Sequence, residues 1–134
     1  MQVLRQWRLF QPCSRYGNYV ALDPNCLFCK IINGDIPAHI VFRNENVVAF
    51  NDLNPQAPTH VLLVPTLHTE NAVGVAKNSA TITAALFLAA DEIATQRGLE
   101  GYRTVFNTGE AAGQSVFHAH LHLLGGRAMA WPPG

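Results

Sequence analysis

Between Val116 and Leu124, apolar residues alternate with three histidines. Alternation of apolar and polar residues over this length is typical of a half-buried β-strand. Because neighbouring residues of a strand point to opposite faces, His118, His120 and His122 are predicted to share one face. The opposite face would then carry small and branched apolar side chains toward a core. This segment is the strongest constraint that the sequence places on the fold.

The spacing of the three rings limits what they can do together. Rings two residues apart on a strand lie ~7 Å apart and rings four apart lie ~13 Å apart. Bonds from a metal ion to nitrogen are ~2 Å long, so one ion could not bind all three. We therefore expect divided roles, with His120 as a nucleophile whose second ring N–H is held by an acceptor. A flanking ring such as His122 can offset charge on a substrate oxyanion.

Length and composition favour a single globular domain with a substantial core. The chain has 134 residues, of which 49% are hydrophobic and 13% charged, and its formal net charge is zero. A chain without net charge lacks the basic surface that is typical of nucleic-acid-binding proteins. No apolar run approaches the ~20 residues of a membrane span. We predict neither nucleic acid nor membrane as a partner. Three cysteines with one CxxC pair do not fit a secreted disulfide framework, so a reducing compartment is expected.

Residues 1–22 differ from the rest because they contain Arg5, Arg8 and Arg15 but no acidic residue. A basic, amphipathic and acid-free segment is typical of a mitochondrial presequence. The alternative is an N-terminal arm that packs on the domain or is disordered. We predict an extension over residues 1–22 and a domain over residues 23–134, with a cytoplasmic location and a mitochondrial one as the alternative.

The remaining patterns predict an α+β fold: a five-stranded antiparallel sheet with one short and one long helix, both on one side. Gly34 and Gly98 end the two helices, and Ser79 caps the second. Residues 66–78 are predicted to be irregular. The helices are predicted over residues 26–33 and 79–97, and the strands over 39–43, 47–51, 60–64, 102–107 and 116–124.

A glycine-containing loop, residues 107–115, comes directly before the histidine segment. Glycines let the backbone approach a ligand, and successive N–H groups can cradle an anion. The hydroxyl of Ser115 and the amide of Gln114 would add donors. Asp52 ends the second strand, and an acid in such a place can accept hydrogen bonds from both ribose hydroxyls. The loop therefore predicts a phosphate site beside the histidines, and Asp52 a nucleotide.

Several ordered motifs together resemble a known family. Residues 118–124 match the His-x-His-x-His-x-x signature of the histidine triad (HIT) proteins. The segments Phe-Asn-Asp-Leu-Asn-Pro-Gln-Ala-Pro-Thr-His at 50–60, Gly-Gln-Ser-Val-Phe at 113–117 and Trp-Pro-Pro-Gly at 131–134 match as well. From residue 26 to 134 the chain resembles the Hint branch, the nucleoside phosphoramidate hydrolases, while residues 1–22 lie outside the resemblance.

The resemblance implies a HIT-like fold and a homodimer whose central sheet continues across both subunits. It also implies a purine nucleoside monophosphate derivative bound at the open face of the sheet. The implied activity is that of a purine nucleoside phosphoramidate hydrolase of the adenosine 5′-monophosphoramidase type. It would act through a nucleotidyl-histidine intermediate, and no cofactor would be required for catalysis.

Five residues match the catalytic positions of the family. His120 matches the nucleophile that attacks the α-phosphorus, and His122 matches the histidine that contacts phosphate oxygens. The carbonyl of His118 matches the group that fixes the tautomer of the nucleophile. Ser115 matches the hydroxyl that helps to protonate the leaving amine, and His60 matches a fourth histidine nearby.

The binding positions are implied in the same way. Asp52 matches the acid that binds ribose, and Leu53 lies beside it at the position that contacts the base. Asn107 and Gln114 match polar contacts on the phosphate side, together with Ser115.

Cys26-x-x-Cys29 departs from most Hint-branch chains. It is similar to other members of the family that hold a structural zinc with a CxxC pair, a later histidine and the first triad histidine. Here the set would be Cys26, Cys29, His68 and His118, and two thiolates with two imidazoles form a standard closed zinc site. The alternative is two half-buried cysteines on a helix without a metal.

Two other functions stay open. One is a nucleotide-binding scaffold or regulatory protein with little turnover. The other is a dinucleoside polyphosphate hydrolase or a nucleotidyl transferase of the same superfamily. The third histidine, His122, argues against the transferases, and the Trp-Pro-Pro-Gly end argues against the polyphosphate hydrolases.

Overall fold

The structure of the protein is a computed structural model that describes residues 22–134. The predicted N-terminal extension, with its targeting alternative, lies outside the described residues apart from Leu22. Across residues 22–134, no helix combines the length and the apolar character needed to cross a membrane.

Five antiparallel strands form one open sheet. In chain order they are β1 (Ile40–Arg43), β2 (Val47–Asn51), β3 (Thr59–Pro65), β4 (Tyr102–Val105) and β5 (Leu121–Gly125). The order across the sheet is β1-β2-β3-β5-β4, so β4 is an edge strand and β5 lies between β3 and β4. The predicted five-stranded antiparallel sheet is confirmed.

Within residues 22–134, three α-helices accompany the sheet, one more than predicted. They are α1 (Leu27–Asn33), α2 (Ala72–Asn78) and α3 (Ala80–Gln96), and a single 3₁₀ turn follows at Glu110–Ala112. The prediction that residues 66–78 are irregular is therefore wrong for α2. This helix is capped by the side chain of Asn71, but it contains a glycine and buries only Val75, so its apolar periodicity is too weak to detect.

Ser79 separates α2 from α3 and serves both helices, as expected of a capping residue. Its main-chain N–H donates to the carbonyl of Val75, and its hydroxyl accepts from the N–H of Ile82 at 3.0 Å. The short helix α1 begins at Leu27, one residue later than predicted, because Cys26 is its N-cap: the sulfur of Cys26 accepts from the N–H of Cys29 at 3.4 Å. It ends at Gly34 with φ of 84°, as glycine allows.

The helices pack on opposite faces of the sheet, which corrects the expectation that they share one side. On one face α3 covers side chains that include Val61, Leu63 and Leu121. On the other face α1 places Phe28 and Ile31 against the intervening residues of β2 and β3. Every residue of β3 is buried, and a strand covered on both faces reads as a continuous apolar run. The sequence of β3 therefore does not show which face of the sheet each helix covers.

The histidine segment joins the sheet later than predicted, because β5 begins only at Leu121. The register of β3 with β5 pairs Leu63 with Leu121, so two more residues along each strand would place Pro65 opposite Ala119. Proline has no N–H to donate to a ladder. The N–H of Ala119 donates instead to the carbonyl of Thr69 at 2.6 Å. The alternation of sides nevertheless persists, since Ala119 and Leu121 both belong to the core beneath α3.

Candidate active site

His120 lies where the histidine segment enters the sheet, and its ring is held by the residue two positions earlier. Its Nδ1 lies 2.8 Å from the carbonyl oxygen of His118. A carbonyl only accepts, so Nδ1 carries the proton and Nε2 keeps its lone pair. Burial, the largest cause, lowers the pKa of His120, which favours the neutral ring near neutral pH. The residue is 8% exposed, so the ring is mostly covered without being sealed.

Phe28 forms a wall behind the first two histidines. Its ring meets His120 edge-on with centroids 5.1 Å apart, and it meets His118 edge-on at 6.0 Å. It comes from α1, about ninety residues earlier in the chain. Sequence analysis did not find this residue, because an aromatic residue on a short helix reads as ordinary core. The contacts with Phe28 put the His118 and His120 rings on the α1 side of the sheet, as the alternation predicts.

His60 and His122 stand side by side on neighbouring strands. The register pairs Leu62 with His122, and the two rings meet across the strands with Nε2 of His60 2.9 Å from Nδ1 of His122. Nε2 of His60 also lies 3.4 Å from a carboxylate oxygen of Asp52. The rings of His120 and His122 have centroids 5.0 Å apart. The fold thus joins His60, Asp52 and two of the triad histidines into one cluster.

His122 is the histidine of this cluster whose pKa departs most from its ordinary value. The pKa of His122 is lowered to about 4, chiefly by burial and in addition by the neighbouring His120 and His60 rings. Asp52 opposes that shift. Nε2 of His122 is buried and has no hydrogen-bond partner among residues 22–134. A buried polar atom without a partner in this position is suited to a group on a ligand.

The loop before the triad contributes fewer donors than the sequence suggested. The amide nitrogen of Gln114 donates to the carbonyls of Glu70 and Val116, and its oxygen accepts from the N–H of Gly109. The side chain of Gln114 therefore braces the loop in the ligand-free protein, and its contact with phosphate stays a prediction. The N–H groups of residues 112, 113 and 114 are bonded within the loop as well, so the expected main-chain cradle is not formed by them.

The other predicted binding residues are exposed or partly exposed. Ser115 is exposed at the end of the braced loop, and Asn107 at its start is half-buried. Ser115 lines a cavity of about 550 Å³ together with Cys26 and His68. The side chain of Leu53 is fully exposed, and that of Asp52 is 20% exposed. Their contacts with a ribose and a base stay predictions.

A second cluster brings together the four predicted metal ligands. The sulfur of Cys29 lies 3.2 Å from Nδ1 of His68 and 3.4 Å from Nδ1 of His118, and the sulfur of Cys26 lies 3.5 Å from the latter atom. All four donor atoms lie within 4.8 Å of one another. Metal bonds of ~2.0–2.3 Å in a tetrahedron require donor separations of this size.

The chemistry of the cluster also fits a cation. Nε2 of His118 lies 2.9 Å from the carbonyl oxygen of Pro65, so Nε2 carries the proton and the lone pair of Nδ1 faces the sulfurs. The pKa of the Cys29 thiol is raised to about 11, chiefly by burial and in addition by Cys26. A cation among the four side chains would offset this cost of ionising the thiols. The carbonyl of Pro65 was not found from the sequence, because backbone contacts leave no sequence pattern.

The fold and both clusters agree with what the chain is similar to. A family model described as the HIT domain matches residues 33–129, and the chain therefore belongs to the HIT family. The sequence resemblance to histidine triad proteins is confirmed at this level.

Two relatives and one solved structure show the range of the similarity. The protein of Zea mays named 14 kDa zinc-binding protein is 47% identical over 116 residues, which cover 84% of this chain and 90% of that protein. Adenylylsulfatase HINT1 of Arabidopsis thaliana is 43% identical over 116 residues, covering 84% and 78% respectively. A HIT family hydrolase from Legionella pneumophila Philadelphia 1 has a TM-score of 0.79 at 49% identity, covering 82% of this chain and 100% of that chain.

The lowered pKa of His122 predicts a pH-dependent stability. The folded ring titrates near 4 and the unfolded ring near its ordinary 6.5, so the unfolded state binds more protons between these values. The stabilisation is therefore complete above about 6.5 and is lost as the pH falls toward 4. We expect His122→Gln to reduce the slope of the free energy of unfolding against pH across this window, measured by urea unfolding. An unchanged slope in the variant would contradict the burial of this ring.

Proposed function

We propose that the protein is a hydrolase of purine nucleoside 5′-phosphoramidates that acts through a nucleotidyl intermediate on His120. The observation that supports it most is the 2.8 Å bond from Nδ1 of His120 to the carbonyl of His118, which leaves a lone pair on Nε2. The neutral, lowered-pKa ring of His122 beside it supports the same reading. A HIT family hydrolase is among the similar solved structures.

In the first step, the lone pair on Nε2 of His120 forms a bond to the α-phosphorus. The P–N bond to the leaving amine breaks, and its electron pair stays on the amine nitrogen. That nitrogen needs a proton, which the exposed hydroxyl of Ser115 would pass on from water. His122 would donate a hydrogen bond to a phosphate oxygen as negative charge develops on it.

In the second step, a water oxygen attacks the phosphorus, and the bond between phosphorus and His120 breaks. The electron pair returns to Nε2, a proton leaves the attacking water, and a nucleoside monophosphate is released. Two displacements of this kind replace one difficult hydrolysis by two easier steps. Asp52 would bind the ribose, and the exposed Leu53 would contact the base.

Three other functions compete with this one. The relative named adenylylsulfatase shares the fold, and a sulfate leaving group would need no proton from Ser115. A nucleotide-binding scaffold with little turnover would use the same cleft. A dinucleoside polyphosphate as substrate would demand space for a second nucleoside. Parallel assays with a phosphoramidate, adenylyl sulfate and a dinucleoside polyphosphate, together with a binding measurement, separate the four cases.

We expect the protein to hydrolyse adenosine 5′-phosphoramidate, and His120→Ala to abolish this turnover while nucleotide binding is kept. Rapid quenching followed by mass spectrometry of peptides should find the nucleotidyl label on His120. The matched control is His39→Ala, which removes an exposed ring outside the cluster and should leave the label in place. A label on another residue, or a labelled His120→Ala variant, would contradict the mechanism.

We also propose that Cys26, Cys29, His68 and His118 hold a structural zinc ion. The donor distances and the lone pair of His118 support this ligand set, and a relative carries the name zinc-binding protein. When bound, the ion keeps thiolates ionised and cross-links α1 to the segment before β5. His118 would then hold its carbonyl toward His120 more firmly, because both its ring nitrogens are engaged.

Metal analysis tests the zinc proposal directly. Protein purified without chelator should contain about one zinc per chain, as a closed site of four ligands requires. Cys29→Ser should lower the zinc content and the melting temperature, whereas Cys13→Ser, outside the described residues, should change neither. Zinc far below one per chain in the unmodified protein would rule the site out.

We further propose a homodimer in which the edge strand β4 pairs with its copy. An unpaired edge exposes N–H and C=O groups that another strand can satisfy. Apolar side chains are exposed beside this edge: Tyr102 on β4 is 42% exposed, and Leu88 on α3 is 70% exposed. The hydroxyl of Tyr102 donates to Asp91 of α3 at 3.1 Å, which ties the helix to the edge.

Sedimentation velocity tests the dimer. The protein should sediment as a dimer at micromolar concentration, and Leu88→Lys should shift it toward monomer because a charge at an apolar interface is costly. Val73→Lys places the same charge at an exposed apolar position on α2 and should leave the dimer intact. Monomeric wild-type protein at these concentrations would overturn the proposal.

A further inference from the structure

A continuous series of hydrogen bonds leads from the loop after β2 to His122. The main-chain N–H of Gln56 donates to Nδ1 of His60 at 3.0 Å. Nε2 of His60 lies 2.9 Å from Nδ1 of His122. Nε2 of His122 is buried and finds no partner within residues 22–134. Each of these atoms constrains the proton on the next one.

The main-chain N–H of Gln56 determines the position of the proton on both neutral rings in the series. A main-chain N–H is always a donor, so Nδ1 of His60 must be the acceptor and the proton of the neutral ring must lie on Nε2. Two N–H groups cannot face each other at 2.9 Å, so Nδ1 of His122 must accept from His60. The proton of neutral His122 then lies on Nε2. Burial lowers the pKa of both rings, which agrees with neutral forms.

We propose that the N–H of Gln56 and the ring of His60 form a tautomer relay that points the Nε2–H of His122 into the site as a donor for a substrate oxyanion. His60 is then a positioning residue: it acts through His122 and has no contact with the reacting atoms. The inference rests on the proposed function only for the identity of the acceptor, a phosphate oxygen. The protonation pattern itself follows from the contacts in the free protein.

The relay extends to the C-terminal segment, which holds the loop that carries Gln56. Nε of Arg127 donates to the carbonyl of Gln56 at 2.9 Å. Gly126, with φ of 88°, packs so closely that a Cβ there would lie 2.9 Å from Cβ of Pro58. Both contacts therefore hold the loop on the C-terminal side of the N–H that starts the relay. Sequence analysis did not connect these residues, because seventy positions separate them.

The same contacts argue against the competing use of this cluster as a second metal site. Asp52, His60 and His122 could surround a cation by distance alone. A cation between them would need the lone pair of Nε2 on His60, and that would put the ring proton on Nδ1. The N–H of Gln56 already faces Nδ1 at 3.0 Å, so the two arrangements exclude each other. The relay therefore predicts that added zinc does not bind at this cluster.

Nitrogen NMR of the histidine rings tests the relay without any turnover. In the full chain near neutral pH, the neutral rings of His60 and His122 should both carry the proton on Nε2, whereas His120 should carry it on Nδ1. His60→Leu removes the donor to His122, and the His122 ring should then populate the Nδ1–H form. A wild-type His122 protonated on Nδ1, or a His122 unaffected by His60→Leu, would overturn the proposal.

A matched pair at Gln56 isolates the first donor. Gln56→Ala and Gln56→Pro both remove the exposed side chain, but only proline removes the main-chain N–H. The alanine variant should keep the wild-type tautomers of His60 and His122. The proline variant should release His60 to a mixture of tautomers, with circular dichroism confirming the fold. Equal spectra for the two variants would show that the N–H of Gln56 does not set the relay.

Kinetics with adenosine 5′-phosphoramidate supply the functional test. His60→Leu should lower kcat roughly 100- to 1,000-fold, the scale for losing one oxyanion donor, with a much smaller change in KM. His60→Gln can place an amide N–H where Nε2–H stood and should recover most of that loss. Equal kcat values for His60→Leu and the wild type would contradict the proposed relay. No turnover by the wild type, with the predicted tautomers present, would instead sink the proposed function.

Discussion

His118 makes the contacts on which both clusters depend. Its side chain is fully buried, with Nε2 donating to the carbonyl of Pro65 and Nδ1 facing the sulfurs of Cys26 and Cys29. Its own carbonyl accepts the Nδ1–H of His120. One residue therefore connects the side chains of the proposed zinc site to the protonation state of the proposed nucleophile. A displacement of the His118 backbone would therefore alter both clusters.

The short helix α1 shows how much of the structure converges on that residue. In seven residues and a cap, it supplies Cys26 and Cys29 to one cluster and Phe28 as the wall of the other. A helix of two turns is unstable on its own and needs tertiary contacts. Structural zinc contributes about 10–16 kcal/mol in small zinc domains, as large as the ~5–15 kcal/mol that stabilises a whole domain. A zinc ion here would thus decide whether α1 stays docked.

The active cluster is organised by backbone groups more than by side-chain charge. The carbonyl of His118 sets the tautomer of His120, and the N–H of Gln56 sets that of His60. A buried donor or acceptor left without a partner costs about 1–3 kcal/mol, so the alternative tautomers are disfavoured by at least that scale. Charge at the rings is disfavoured too, since burial lowers the pKa of His60 and His122. Neutral, oriented imidazoles are the form that attack on phosphorus requires.

The sequence by itself determined the five strands, the long helix and its Ser79 cap, and the side to which each triad residue points, because these follow from periodicity and local hydrogen bonding. It also singled out the four side chains of the metal cluster, by resemblance. It missed α2, whose apolar periodicity is weak, and it placed both helices on one face, because β3 is apolar on both sides. Only the tertiary structure decided those points and the tautomer of each ring. The tautomers depend on which backbone groups from distant segments meet, and a backbone N–H or C=O is the same at every position in a sequence.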